Sequence, residues 1–452
     1  MNNNANTEPS HLFSLDLSRD YPTLVRGEGV YVYDDQGKQY LDAIAGIAVV
    51  AIGYGRERVA KTIAEQAMKL PYVASNIFSN EPAIKLADQL ARLMPGDCNS
   101  IHFTSGGSEA VEAAIKICRQ YQYERGKGDK HVLIARWSSY HGATLGALSA
   151  TGFASRRKKF LPLLLDWPHI PPAYCYRCPF DSDYPGCDLA CARSLEEKIN
   201  QIGQEQVMGF IAEPVVGAAG GALVPPLEYW PRVREICTLY DVLFIADEVL
   251  TGFGRTGKPF AVNHWGISPD MITMAKGLSS GYAPLGAIGI SQKIRAVFQE
   301  KQVPFDHIFT FSSNPISTAA ASEALKIWEE EQLSLHAEKT GEYMLRQLET
   351  LKKYEMVGDV RGLGLMAGIE FVQNRGTKEP FPIEKGVAKL VGKAALQKGL
   401  VTYPASGIID GVKGDIISLF PPLVFTPHHV DEMVEKLKAA LEEVERMLRI
   451  NR

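Results

Sequence analysis

Val242-Leu-Phe-Ile-Ala-Asp247 and, further along, Met271-Ile-Thr-Met-Ala-Lys-Gly277 are two short apolar runs, each closed by a charged residue. Runs of this length, bounded by polar or turn residues, read as buried strands. Working outward, Met208-Gly-Phe-Ile-Ala212 is a third such run. It ends at Glu213-Pro214, where the proline cannot donate to a ladder and so stops the strand. His131 to Ala135 and Ile101-His-Phe103 supply two more strands, and strands over 271–275 and 285–290 follow. Helical patterns at 107–124 and 228–240 fall between them. This alternation predicts an open, mainly parallel α/β sheet, in which ligands bind at the carboxyl ends of the strands. Glu213, Asp247 and Lys276 all lie at such ends.

The flanks read differently. Gly29 to Leu41 alternates around a turn at Asp34-Asp-Gln-Gly37, a β-hairpin pattern, and helical periodicity follows at 57–69 and 82–94. Beyond about residue 315, helices at 316–331, 335–353, 384–398 and 427–449 mix with strands at 365–372 and 415–419. The expected division is an N-terminal segment (1–70) that joins a smaller α+β domain, a large domain (71–325), and the rest of the small domain (326–452).

A chain of 452 residues with 46% hydrophobic and 22% charged residues has the balance of a soluble globular protein. The formal net charge of −4 gives no reason to expect a nucleic-acid partner. The longest uncharged apolar stretch, Ala43 to Gly53, is far short of the ~20 residues a membrane span needs. Residues 1–10 lack the basic and apolar regions of a signal peptide and read as a disordered tail, so a cytoplasmic location is expected.

Thr104-Ser-Gly-Gly-Ser-Glu-Ala110 joins a strand to a helix. Its glycines leave backbone N–H groups open to an anion at a helix N-terminus, and Ser108 adds a hydroxyl. No Gly-Lys-Ser/Thr follows, which excludes a Walker A loop. Tyr140-His-Gly142 follows the next strand, placing an aromatic where a planar cofactor could stack. A lysine at one strand end and a carboxylate at another suit the two ends of a pyridoxal phosphate ring. The lysine would hold the aldehyde, and the aspartate would keep the pyridine nitrogen protonated.

With Ala212-Glu-Pro214, Asp247-Glu-Val-Leu-Thr-Gly-Phe-Gly-Arg-Thr-Gly257, Ala275-Lys-Gly277 and Thr310-Phe-Ser-Ser-Asn-Pro315, these motifs occur in one order. In that order the chain resembles the class III aminotransferases, pyridoxal phosphate enzymes of fold type I, from roughly residue 25 to 445. The resemblance implies a seven-stranded, mainly parallel sheet in the large, cofactor-binding domain. It implies Lys276 as the cofactor-holding lysine and proton shuttle, and Asp247 as partner of the pyridine nitrogen. Val249 and Tyr140 would cover the two ring faces, with His141 and Glu213 close by. Gly107 and Ser108 would bind the phosphate. Thr310 would reach the phosphate of the neighbouring subunit, implying a homodimer or dimer of dimers with shared sites. The reaction implied is ping-pong transfer of an amino group from a primary amine or ω-amino acid to a keto acid, pyruvate or 2-oxoglutarate. An aminomutase or decarboxylase on the same fold, and a scaffold without catalysis, are the competing readings.

Four positions depart from the family pattern. Leu250 stands where ornithine- and GABA-type members carry Gln. Ser418 stands where ornithine-type members carry a carboxylate-binding Arg, which argues against an ornithine site. No arginine occurs near Gly411, where amine transaminases often place a mobile one, so Lys413 is the nearest candidate for the keto acid's carboxylate. Ala48, where many amine transaminases have Trp, is expected to widen the pocket. Of seven cysteines, Cys175, Cys178, Cys187 and Cys191 cluster in a Pro- and Tyr-rich loop. That spacing leaves open structural zinc, two disulfides, free thiols or an iron–sulfur cluster.

Overall fold

The structure is a computed structural model that describes residues 11–450, so the tail expected over 1–10 lies outside the described residues. The central sheet has seven strands. Their order is Ser100–Thr104, Gly286–Ile290, Met271–Met274, Leu243–Asp247, Val207–Ala212, Val132–Arg136 and His169–Ile170. The last five strands in this order run parallel, and Gly286–Ile290 runs antiparallel to both of its partners. Every residue of Val207–Ala212 and Leu243–Asp247 is buried. Burial on both faces explains why these strands are unbroken apolar runs rather than alternating ones.

Register carries the chemistry. Asp247 sits directly across from Thr273, and Thr104 across from Gly286, so polar groups at the strand ends meet at one edge. The helix Gly107–Glu124 leaves that edge immediately after Thr104.

The N-terminal strands Leu24–Glu28, Tyr31–Asp34 and Gln39–Asp42 form a separate sheet, completed by Leu400–Val401, which pairs parallel with Gln39–Asp42. The first and last parts of the chain therefore share backbone hydrogen bonds. A third sheet is antiparallel, in the order Val357–Gly362, Ala367–Phe371, Lys413–Leu419 and Tyr403–Ile409. The helix Pro315–Glu330 starts on a proline, with the Asn314 side chain accepting from the Ser317 N–H at 3.0 Å. Among the described residues, no helix is long and apolar enough to cross a membrane.

Several elements differ from expectation. The segment expected as one strand over 365–372 is the second arm of a hairpin whose first arm is Val357–Gly362, reversed with Gly364 at φ 58°. The helix expected from 384 starts at Val387, after a 3-10 turn and a left-handed Gly386. A helix at Ala190–Ile202 and a strand at Tyr403–Ile409 were not foreseen.

Candidate active site

A cavity of about 580 Å3 opens at the carboxyl ends of the central strands. At one end the helix Gly107–Glu124 begins without a side-chain cap, and Ser105, Gly106, Gly107 and Ser108 line the wall. An uncapped helix start leaves N–H donors and the positive dipole end facing the cavity, which suits a phosphate. Gly107 is required by contact: a Cβ there would stand 2.9 Å from Val249 Cγ1. The Ala143 N–H donates to Ser108 Oγ at 3.1 Å, fixing the hydroxyl at this wall.

Asp247 lies deeper and is almost wholly buried. Its Oδ1 accepts from the Thr273 hydroxyl (2.9 Å) and the Val249 N–H (3.1 Å). Its Oδ2 accepts from His141 Nδ1 at 2.6 Å. The His141 backbone N–H is anchored on Thr151 Oγ1 at 2.9 Å, and its Nε2 is buried without a partner. A carboxylate oriented by three donors at the bottom of a cavity is arranged to meet a positively charged ring nitrogen.

Glu213 is a further buried carboxylate of the lining. Its carboxylate accepts from the backbone N–H groups of Tyr140 and Gly217, both at 2.9 Å, and its own carbonyl accepts from the buried Arg136 guanidinium. Burial raises its pKa; His141 opposes that shift and the nearby Asp247 adds to it. Tyr140, held by this bond, and Val249 both line the cavity. Lys276 lines it too, in a left-handed conformation at φ 38°. Enclosure by protein lowers the lysine's pKa, while Glu213 and Asp247 pull it back up. The depressed value favours a neutral amine, the form able to act as nucleophile and base.

Of the residues singled out in the sequence, Gly107, Ser108, Tyr140, His141, Glu213, Asp247, Val249 and Lys276 come together in this one cavity. Thr310 does not line it; the residue is exposed on the loop before the helix Pro315–Glu330. Leu250 lines it and packs where a side chain on Gly217 would clash, 2.5 Å from the position of a Cβ.

Three expectations are corrected. Lys413 is exposed at the start of its strand and is not part of the cavity wall; the preceding turn lies against Ala154, 2.4 Å from where a Cβ on Gly411 would be. Ala48 is buried in the core, and its neighbours Ile47 and Val49 form the wall instead, because Ala45–Ala48 is a left-handed turn. Structural zinc at the cysteine cluster finds no support. Cys175, Cys178, Cys187 and Cys191 border one small cavity, yet all seven cysteines are free. Among the described residues, no three His, Cys, Asp or Glu side chains gather as metal ligands.

The sequence reading missed Arg156. It sits on the short helix Ala154–Arg157, reaches Tyr403 Oη at 3.5 Å, and lines the cavity with no carboxylate partner among the described residues. Its neighbour Arg157 turns inward and is buried. The Arg156-Arg157 pair was visible in the sequence, but which of them faced a pocket was not.

The family model for class-III aminotransferases matches residues 18–441. The putrescine–pyruvate aminotransferase of Pseudomonas aeruginosa is 36% identical over 430 residues, covering 93% of this chain and 90% of its own. The mitochondrial gamma-aminobutyrate transaminase 1 of Oryza sativa subsp. indica is 38% identical over 435 residues, covering 93% and 81%. Among solved structures, a thermostable (S)-enantioselective omega-transaminase from Thermomicrobium roseum superposes with a TM-score of 0.90 at 37% identity, covering 96% of both chains.

Proposed function

The chain belongs to the class-III aminotransferase family and is a transaminase, and from that premise we infer that it moves an amino group from a primary amine or ω-amino acid to pyruvate or 2-oxoglutarate. The observation that carries this reading is the single cavity in which a lysine of depressed pKa, a triply bonded aspartate and an uncapped helix start face one another. These groups fit pyridoxal 5′-phosphate, the family's cofactor. When bound, it supplies an electron sink that lets the bond between hydrogen and the amine-bearing carbon break.

Each residue then has one task. The N–H groups at Gly107 and Ser108 hold the phosphate, Tyr140 and Val249 confine the ring, and Asp247 with His141 keeps the ring nitrogen protonated. Lys276 would hold the cofactor's aldehyde, and its buried amine, neutral by virtue of its lowered pKa, would take up and return the proton of the amine-bearing carbon at Nζ. Arg156 receives the keto acid's carboxylate, a role its position and unpaired charge support. We place Thr310 of the partner subunit at the phosphate, which makes the working enzyme a homodimer; the exposed position of Thr310 supports this. We assign it to the cytoplasm, without nucleic-acid or membrane partners.

A half-reaction spectrum tests the reading. The holoenzyme is mixed with 1-phenylethylamine, putrescine, β-alanine, γ-aminobutyrate or ornithine, without keto acid. Conversion of the cofactor to its amine form by amines or ω-amino acids is expected. Conversion by ornithine alone would overturn the donor assignment. No conversion by any of them would overturn transamination of this donor class.

A further inference from the structure

We propose that a second cavity beside the active site receives the distal, positively charged end of an extended amine donor; the inference rests on the transaminase reading above. This cavity, about 860 Å3, exceeds the active-site cavity in volume. It lies between the short helix Ala154–Arg157, the turn Cys175–Arg177 and the hairpin tip at Asp410 and Gly411. Phe153 lines both cavities, so they share an aromatic wall. That wall belongs to a buried apolar cluster that includes Tyr174 and has Tyr140, Tyr176 and Tyr403 packed against it.

The lining selects an organic cation. Trp137, Phe153, Tyr174 and Tyr176 present aromatic surface, which accommodates a methylene chain and attracts an ammonium group. Asp181, Asp183 and Asp410 also line the cavity, and none has an ion-pair partner among the described residues. Two cations share this wall, and one of them is ion-paired. Arg177 Nε donates to Glu370 Oε1 at 2.6 Å, and Lys378 Nζ donates to the Tyr176 carbonyl at 2.8 Å. With Arg177 paired to Glu370 and Lys378 keeping its charge, three carboxylates outweigh one ammonium and the net charge of the second cavity is negative, whereas the active-site wall carries the unpaired Arg156.

This opposition predicts a dependence on length. A short diamine keeps its second ammonium near Arg156 and is repelled. A long one carries it past Phe153 to the carboxylates. A monoamine of either length is indifferent to both.

The test is steady-state kinetics of the holoenzyme with pyruvate, comparing each diamine with the monoamine of equal length: 1,4-diaminobutane with 1-aminobutane, and 1,8-diaminooctane with 1-aminooctane. One charge pair gained at the far end, ~1.4 kcal/mol, corresponds to about a tenfold higher kcat/KM for the long diamine over its monoamine. The short pair should show a ratio near or below one. Replacing Asp183→Asn and Asp410→Asn together should cut the long-chain ratio at least about threefold, and Asp410→Lys should cut it further. Both positions are exposed, so folding is not at stake. Equal ratios for the two lengths, or a long-chain ratio unmoved by these substitutions, would overturn the inference and leave the transaminase reading standing. Absence of turnover with every amine would overturn both.

Discussion

Lys276 illustrates how a single side chain couples burial to chemistry. Its folded pKa lies below the ordinary lysine value of 10.5 because enclosure disfavours the charged form. Between those two values the folded apoprotein binds fewer protons than the unfolded chain, so its stability rises with pH across that window. Cofactor capture needs the neutral amine. Its rate in the apoprotein should therefore rise with pH to a midpoint below 10.5, read from the absorbance of the bound cofactor; a midpoint at the ordinary value would show that burial does not tune this lysine. Arg156 acts through charge instead. A charge-assisted carboxylate bond is worth about 1.5–3 kcal/mol, so Arg156→Met should raise KM for pyruvate at least about tenfold while slowing the half-reaction with 1-phenylethylamine far less. Equal losses in both would show that Arg156 only supports the pocket. Gly107 acts through space. The 2.9 Å approach of Val249 Cγ1 leaves no room for a methyl group, so Gly107→Ala should push that valine into the cavity and weaken cofactor affinity about tenfold in titrations of the apoprotein. Unchanged affinity would mean that the valine can yield.

At the scale of elements, the strand ends opposite the site are tied by one buried lysine. Lys130 Nζ donates to the carbonyls of Gln204 (2.8 Å), Val207 (3.0 Å), Asp241 (3.0 Å) and Tyr240 (3.4 Å), gathering the starts of three strands. Lys130→Met keeps the bulk but leaves these acceptors unpaired, and should cost about 2–4 kcal/mol in denaturant unfolding; a loss below about 1 kcal/mol would mean that water replaces the ammonium. The strands themselves were legible, because doubly buried strands are short apolar runs with distinct ends. The residues at their carboxyl ends were legible for the same reason. Less legible was the Tyr403–Ile409 strand: Pro404 and Gly407 break its pattern, and it exists only through pairing with Lys413–Leu419. The left-handed turn at Ala45–Ala48 is hidden altogether, since nothing in an alanine or isoleucine announces a positive φ. It is held from outside by the buried Asp42, whose carboxylate accepts from the Ile44 and Gly46 N–H groups at 3.0 Å and from the Tyr54 hydroxyl at 2.7 Å. The turn puts Ala48 on the core side of the pocket wall, although the resemblance placed it at the pocket.

Across the whole molecule, the family and the sheet were readable from ordered motifs, but facts that depend on distant segments were not. Arg156 and Phe153 acquire meaning only when the chain brings them beside Tyr403. The spacing of the four clustered cysteines left metal, disulfides and free thiols open, because spacing alone does not give their geometry; in the fold they are free thiols. One buried network shows how such distant pieces are joined. Glu370 accepts from Arg177 Nε at 2.6 Å, from Arg361 Nη1 at 2.8 Å and from the Tyr174 hydroxyl. Arg361 also donates to the carbonyls of Gly220 (2.7 Å) and Gly221 (2.8 Å). The cysteine-bearing loop, the Ala367–Phe371 sheet and the turn after Glu213 thus meet on one fully buried carboxylate. Exposed ion pairs contribute little, but removing one partner of a buried pair leaves uncompensated charge. Glu370→Gln should therefore cost about 3–5 kcal/mol, seen as a lower midpoint of chemical denaturation with an unchanged slope, since the surface exposed on unfolding stays the same. A steeper or shallower slope would mean that the two parts of the molecule no longer unfold together. A midpoint shift worth less than about 1 kcal/mol would mean that Asp359, 2.8 Å from Arg361 Nη1, suffices to hold the arginine in place.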